Sequence, residues 1–190
     1  MGDLLEKSYI GKEIFPDTLL VYHGSTSIID RIDVTRGKPY KDFGRGFYVT
    51  KSMVHARNIA LRNQRIEKEI YGVTTGAYLY TYEMDQTELA KYNMKEFSYA
   101  DIEWLNFVLQ NRKARNHSHQ FDIVIGPTAN DDTMVVINAY LDGLYGEIGA
   151  DNALNTLLKN IEAENLPGQI CFTCDTATGM LIPKGQVERL

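Results

Sequence analysis

Two short stretches constrain this chain more than any others: Tyr22-His23-Gly24-Ser25, and Phe43-Gly44-Arg45-Gly46-Phe47-Tyr48-Val49-Thr50 downstream of it. The first closes a nearly continuous apolar run from Thr18 to Tyr22, which reads as a buried strand stopping at His23-Gly24. The second is a glycine-punctuated turn that feeds a strand over Gly46 to Thr50. Gly44 and Gly46 permit a tight turn and put no side chain between the backbone and an approaching molecule. Tyr48 then sets an aromatic face beside that gap. A polar ring at a strand mouth with a glycine behind it suits a ligand that lies against backbone. The two stretches therefore read as opposite walls of one cleft. Between them, residues 25–45 carry Ser, Thr, Gly, Pro and the basic side chains Arg31, Arg36, Lys38 and Lys41, which is loop chemistry.

The rest of the chain supplies a scaffold. A helix is expected straight after the second stretch, capped by Thr50 or Ser52, with Ile59, Ile66 and Ile70 at helical spacing and Gly72 as its stop. Gly76 to Met84 reads as a strand, rich in Tyr and Leu. Ser98 to Arg115 reads as a helix, with Ser98 and Asp101 at helix-start spacing and Ile102, Leu105, Val108 and Leu109 as its apolar stripe. Phe121 to Ile125 is an expected strand ended by Gly126-Pro127. Helices follow from Asp131 or Asp132 and over about 151–165, then a strand from Gln169 to Cys174 and an edge strand at Gln186 to Leu190. Strands and helices do not alternate regularly, which favours α+β over a doubly wound sheet. With 190 residues, one domain over 18–190 behind a polar arm at 1–17 accounts for the length.

Composition narrows the function classes. A net charge of −5 gives no basic footprint, so binding to nucleic acid or to an anionic membrane is not indicated. There is no apolar run long enough to span a bilayer, and the first residues lack the basic start and apolar core of a signal peptide. Two cysteines do not make a disulfide framework, so a reducing cytoplasm is expected.

Each candidate residue has an ordinary reading beside the functional one. His23 can be a strand-end histidine satisfied by backbone, and Tyr48 a core aromatic. Arg36 and Arg45 have forks that match pyrophosphate oxygens, yet loop arginines are commonly solvated. His117-Ser118-His119 lacks a third ligand, and Cys171 and Cys174 in an extended strand point to opposite faces, so no metal is expected.

The order and strand contexts of the two stretches resemble the ADP-ribosyltransferases, in particular their diphtheria-toxin and poly-ADP-ribose-polymerase branch. A longer likeness, from about Thr18 to Leu181, is to a bacterial family catalogued as domain of unknown function 3990. It includes Leu20 to Ser25, Asp42 to Thr50, Phe121 to Pro127 and Gln169 to Phe172. The resemblance implies two roughly perpendicular antiparallel sheets with flanking helices, and NAD as substrate in the cleft between them. It implies that His23 holds ribose hydroxyls, that the Gly24 backbone holds the nicotinamide amide, and that Tyr48 stacks on the nicotinamide ring. Ser25, Phe43, Gly44, Arg45, Gly46 and Arg36 complete the expected binding surface.

The expected chemistry is transfer of ADP-ribose to a macromolecular acceptor, as in a bacterial toxin or effector, with a protein partner such as an antitoxin. Nicotinamide leaves as a neutral pyridine, so the protein must supply orientation and negative charge near the developing oxocarbenium ion. Gln169 occupies the position where the family pattern has Glu, and an amide supplies no charge. Asp42, Asp122 and Glu147 are the candidate replacements. Two further readings follow: a degenerate transferase fold that binds a nucleotide or protein without catalysis, and an enzyme of the same fold removing a 2′-phosphate from RNA.

Overall fold

The computed structural model describes residues 17–129, 131–161 and 166–190; the expected arm at 1–17 falls almost wholly outside them. In chain order the elements are β1 (Thr18–Ser25), β2 (Phe47–Val49), α1 (Met53–Tyr71), β3 (Tyr78–Asp85), β4 (Met94–Glu96) and α2 (Ile102–Lys113). They continue with β5 (Ile123–Pro127), α3 (Asp131–Leu141), α4 (Asp151–Asn160), β6 (Gly168–Phe172), α5 (Asp175–Thr178), β7 (Leu181–Pro183) and β8 (Glu188–Arg189). The architecture is α+β, with two mostly antiparallel sheets. One has the order β1-β3-β7, with β8 also pairing β3; the other has the order β2-β6-β5-β4, in which only β4–β5 is parallel.

The sheets pack through one apolar layer. Val21, Tyr80, Tyr82 and Met84 come from the first sheet, and Phe47, Val49, Ile170 and Phe172 from the second. Alternation along the second sheet turns Val124 and Cys171 to its other face. There they meet Trp104, Leu105 and Val108 of α2, Ile137 of α3 and Leu157 of α4. The sheets are tied at one point, where Tyr22 N donates to Thr50 O at 2.8 Å and Thr50 N to Tyr22 O at 2.9 Å.

Several sequence expectations are refined. β1 does not stop at His23-Gly24, because β3 pairs with it as far as Ser25 opposite Tyr78. α1 has both expected caps: the Ser52 hydroxyl accepts from His55 N, and Gly72 adopts φ 67°. Its buried face, however, is Ala56 and Ala60, while Ile70 is 69% exposed. The contact selects small residues. A Cβ on Gly24 would sit 2.0 Å from the Ala56 carbonyl oxygen, so helix and strand approach through their backbones. α2 is capped by Asp101, whose carboxylate accepts from Trp104 N at 2.8 Å; Ser98 lies outside it. Gly126-Pro127 does not end β5 but pairs with Gln169 and Gly168. No helix among the described residues is long and apolar enough to cross a membrane.

Candidate functional site

His23 follows the point where the sheets are joined. Its ring turns to the layer between the sheets and stacks on Phe47, with centroids 4.3 Å apart. Nδ1 lies 2.6 Å from the Tyr48 carbonyl oxygen. A carbonyl only accepts, so Nδ1 carries the proton and Nε2 presents a lone pair. Burial pushes the ring's pKa down to about 4, against the opposing pull of that carbonyl. At neutral pH His23 is therefore an uncharged acceptor. Nε2 has no hydrogen-bond partner among the described residues.

Gly24 is open in a way its side-chain position does not reveal. Both backbone groups of Tyr22 bond Thr50, so they point away from β3. In an antiparallel ladder this direction alternates along the strand. Gly24, two residues on, turns its N–H and C=O to the same edge. If β1 and β2 kept pairing, those groups would meet Tyr48. Instead the strands part, and the His23 side chain takes the Tyr48 carbonyl. A backbone donor and acceptor are left side by side on the residue that follows His23. Ser25, the next residue, uses its hydroxyl to accept from Ser27 N at 3.0 Å.

The glycine-rich turn is filled by the protein itself. Gly44 adopts φ 83°, and a Cβ there would lie 2.5 Å from His117. A Cβ on Gly46 would lie 2.4 Å from the Phe172 carbonyl oxygen in β6. Phe43 is fully buried, and its carbonyl accepts from His119 Nε2 at 3.0 Å. The Tyr48 hydroxyl donates to Gly44 O at 2.6 Å and accepts from Phe43 N at 3.1 Å. Burial holds that hydroxyl well above the usual phenol range. The Tyr48 ring packs with the helices beside Cys171, on the opposite face of β2 from His23. Only its carbonyl reaches the His23 side.

Gln169 belongs to that helix-covered face too. Its Nε2 donates to Asp42 Oδ2 at 2.8 Å and lies 3.3 Å from the Pro127 carbonyl. Asp42 is buried and also accepts from Arg112 Nε at 2.7 Å and Ala129 N at 2.9 Å. Of the three candidate carboxylates, Asp42 is thus the one joined to Gln169. Its guanidinium partner, Arg112 near the end of α2, is not among the candidates read from the sequence, because nothing local links positions 42 and 112.

The two arginines go elsewhere. Arg45 Nη1 donates to Thr35 O at 2.7 Å. Arg36 lines a cavity of about 430 Å³ with Arg31, Ile32 and the carboxylates Asp30, Asp33 and Asp175. No hydrogen bond joins either to His23 among the described residues. No group of three or more His, Cys, Asp or Glu that could hold a metal ion occurs among the described residues.

The structure therefore brings together His23, the Gly24 backbone, Phe47 and the Tyr48 carbonyl on one side of β2. It brings together the Tyr48 ring, Cys171, Gln169, Asp42 and Arg112 on the other. No curated protein and no solved structure matches the chain. A family model described as "Protein of unknown function (DUF3990)" matches residues 19–182, most of its length, so the chain belongs to that family.

Proposed function

We propose that this protein binds NAD at the parting of β1 and β2 and transfers ADP-ribose from it to a macromolecular acceptor, in the manner of an ADP-ribosyltransferase. The observation that carries the reading is the pairing of an open Gly24 N–H and C=O with the free Nε2 of a neutral His23. A carboxamide has one acceptor and two donors, so it would match the two Gly24 groups at once. A ribose hydroxyl would donate to Nε2. Those contacts would fix the orientation of the bond between nicotinamide and ribose, one of the two things that loss of a neutral leaving group needs. The test is nicotinamide release from NAD by the wild-type protein and by His23→Ala, followed by chromatography. Release by the wild type, lost in His23→Ala, is expected. Absence of release from both, together with no calorimetric binding of NAD to the wild type, would overturn the reading.

A second reading is a binding module of the same architecture without turnover. It is favoured by Gln169, whose amide is pinned to Asp42 on the far face of β2 and brings no charge to the His23 side. Saturable NAD binding without nicotinamide release would select it.

A further inference from the structure

We propose that residues 27–32 form a lid over the His23 side chain, and that the Tyr80 hydroxyl is its latch.

The path of the chain puts this span across the opening. β1 ends at Ser25 on one side of the parting. Gly37 sits against the start of β2 on the other, where a Cβ on it would lie 2.4 Å from the Gly46 carbonyl oxygen. The residues between must cross the gap. Ile29, Ile32 and Val34 turn toward the layer between the sheets and pack with the cluster that includes Phe47 and Tyr80. Those two rings flank His23: Phe47 stacks on it with centroids 4.3 Å apart, and Tyr80 stands tilted at 6.2 Å.

Both ends of the crossing are fixed. At the first, the Thr26 hydroxyl donates to Glu67 of α1 at 3.0 Å. At the second, Val34 N donates to Asp175 Oδ1 at 3.0 Å, Thr35 N to Asp33 Oδ1 at 2.9 Å, and Arg45 Nη1 to Thr35 O at 2.7 Å. Between them the ties to the rest of the fold thin to one side chain. The Tyr80 hydroxyl accepts from Ile29 N at 2.7 Å and donates to Ser27 O at 3.3 Å. The other bond of the span, from Ser27 N to the Ser25 hydroxyl, is local. Among the described residues no further hydrogen bond holds 27–32. A segment fixed at both ends and tied once in the middle opens in the middle, because local opening breaks only the contacts made there. Here those are one hydroxyl and the packing of Ile29 and Ile32.

The arrangement also accounts for a tension at His23. Nε2 has no partner, yet the ring is buried enough to stay neutral. A molecule that bonds Nε2 must displace some of that cover, and 27–32 is the part of it beside Phe47 and Tyr80 with the fewest ties. That the molecule admitted is NAD rests on the proposed function; the lid itself does not.

The experiment is acylation by diethyl pyrocarbonate at pH 7.5, a reagent that takes neutral imidazole, with the rate at each histidine read by peptide mass spectrometry. Tyr80→Phe removes the latch and keeps the ring. Ile29→Ala loosens the lid from its own side and leaves β3 untouched. Each should raise the rate at His23 by about tenfold and leave His55, His117 and His119 near their wild-type rates. Tyr92→Phe is the control: it loses a hydroxyl bond to Thr176 O, away from the lid, and should acylate at His23 like the wild type. An unchanged rate at His23 in both lid variants would overturn the proposal. So would an equal rise at all four histidines, which reports a loosened fold rather than an opened lid. The assay uses no NAD, so a silent nicotinamide assay leaves the lid standing, and an unchanged His23 rate leaves the NAD reading standing.

Discussion

Asp42 takes hydrogen bonds from Arg112, Ala129 N and Gln169 while only 4% exposed, and the identity of Gln169 follows from that arrangement. An amide donates into a buried carboxylate; a second carboxylate at the same place repels it. Gln169→Glu would set a second acid group about 2.8 Å from Asp42, whose other oxygen holds the Arg112 guanidinium. One of them must then take a proton or lose its partner, and a buried uncompensated charge costs about 3–5 kcal/mol. The expected outcome is a lower urea midpoint for Gln169→Glu at pH 7, partly recovered at pH 5, where a shared proton is easier to hold. A variant as stable as the wild type at pH 7 would show that Asp42 and Gln169 do not meet. Restoring the residue type of the transferase pattern is thus expected to weaken the fold here. The negative charge lies on the helix-covered face of β2, where Tyr48 and Cys171 also point.

At the scale of elements, Gly24 is the contact on which α1 and β1 depend. Its missing side chain leaves room for the helix backbone, and Ala56 and Ala60 complete the close approach. Gly24→Ala puts a methyl group where only a shift of the whole helix can make space. Overpacking of this kind costs roughly 3 kcal/mol, read as a drop in the urea midpoint. Gly168→Ala is the control: nothing lies within 4 Å of its added Cβ, so it should stay within about 0.5 kcal/mol of the wild type. Equal stability of the two variants would mean that α1 does not pack this closely. The caps of α1 were legible from the sequence because Ser52 and Gly72 act on their own neighbours. The buried face of α1 was not, because Ala56 and Ala60 give no apolar period to read while the more conspicuous Ile70 faces solvent. β4 and β7 are three residues each and too short to alternate. His23 and Gly24 were singled out by their residue types at a strand end and by resemblance. What makes them open, the parting of β1 from β2, depends on pairings that no local pattern records. The Asp42–Gln169 contact, spanning 127 residues, was equally beyond reach.

Across the whole molecule, acid response should come first from histidines. Burial lowers the pKa of His23 to about 4 and also lowers those of His55 and His119. His119 has a definite reason to stay neutral, since its Nδ1 accepts from Phe121 N at 3.1 Å while Nε2 serves the Phe43 carbonyl. In the unfolded chain each of these rings takes up its proton near pH 6.5. The folded state resists, so it is favoured fully above that pH and loses the advantage as pH falls toward the folded values. For His23 the window runs from about 6.5 to about 4, and its depth is on the order of 3 kcal/mol, the shift multiplied by the free energy of one pKa unit. The carboxylates Asp33 and Asp85, lowered chiefly by hydrogen bonds from Thr35 and Thr87, lose their contribution only as pH falls below the ordinary aspartate range. The two effects are therefore separated along the pH axis. Urea unfolding between pH 7.5 and 4.5 should show stability falling through the histidine window in the wild type, with a shallower fall in His23→Gln, which keeps a donor for the Tyr48 carbonyl but does not titrate. A wild-type profile that stays flat to pH 4.5 would mean that His23 is hydrated in the folded protein. The neutral acceptor at the parting of β1 and β2 would then be confined to pH above about 6.5, because the same burial that lowers the pKa is what keeps Nε2 unprotonated for a hydroxyl down to about pH 4.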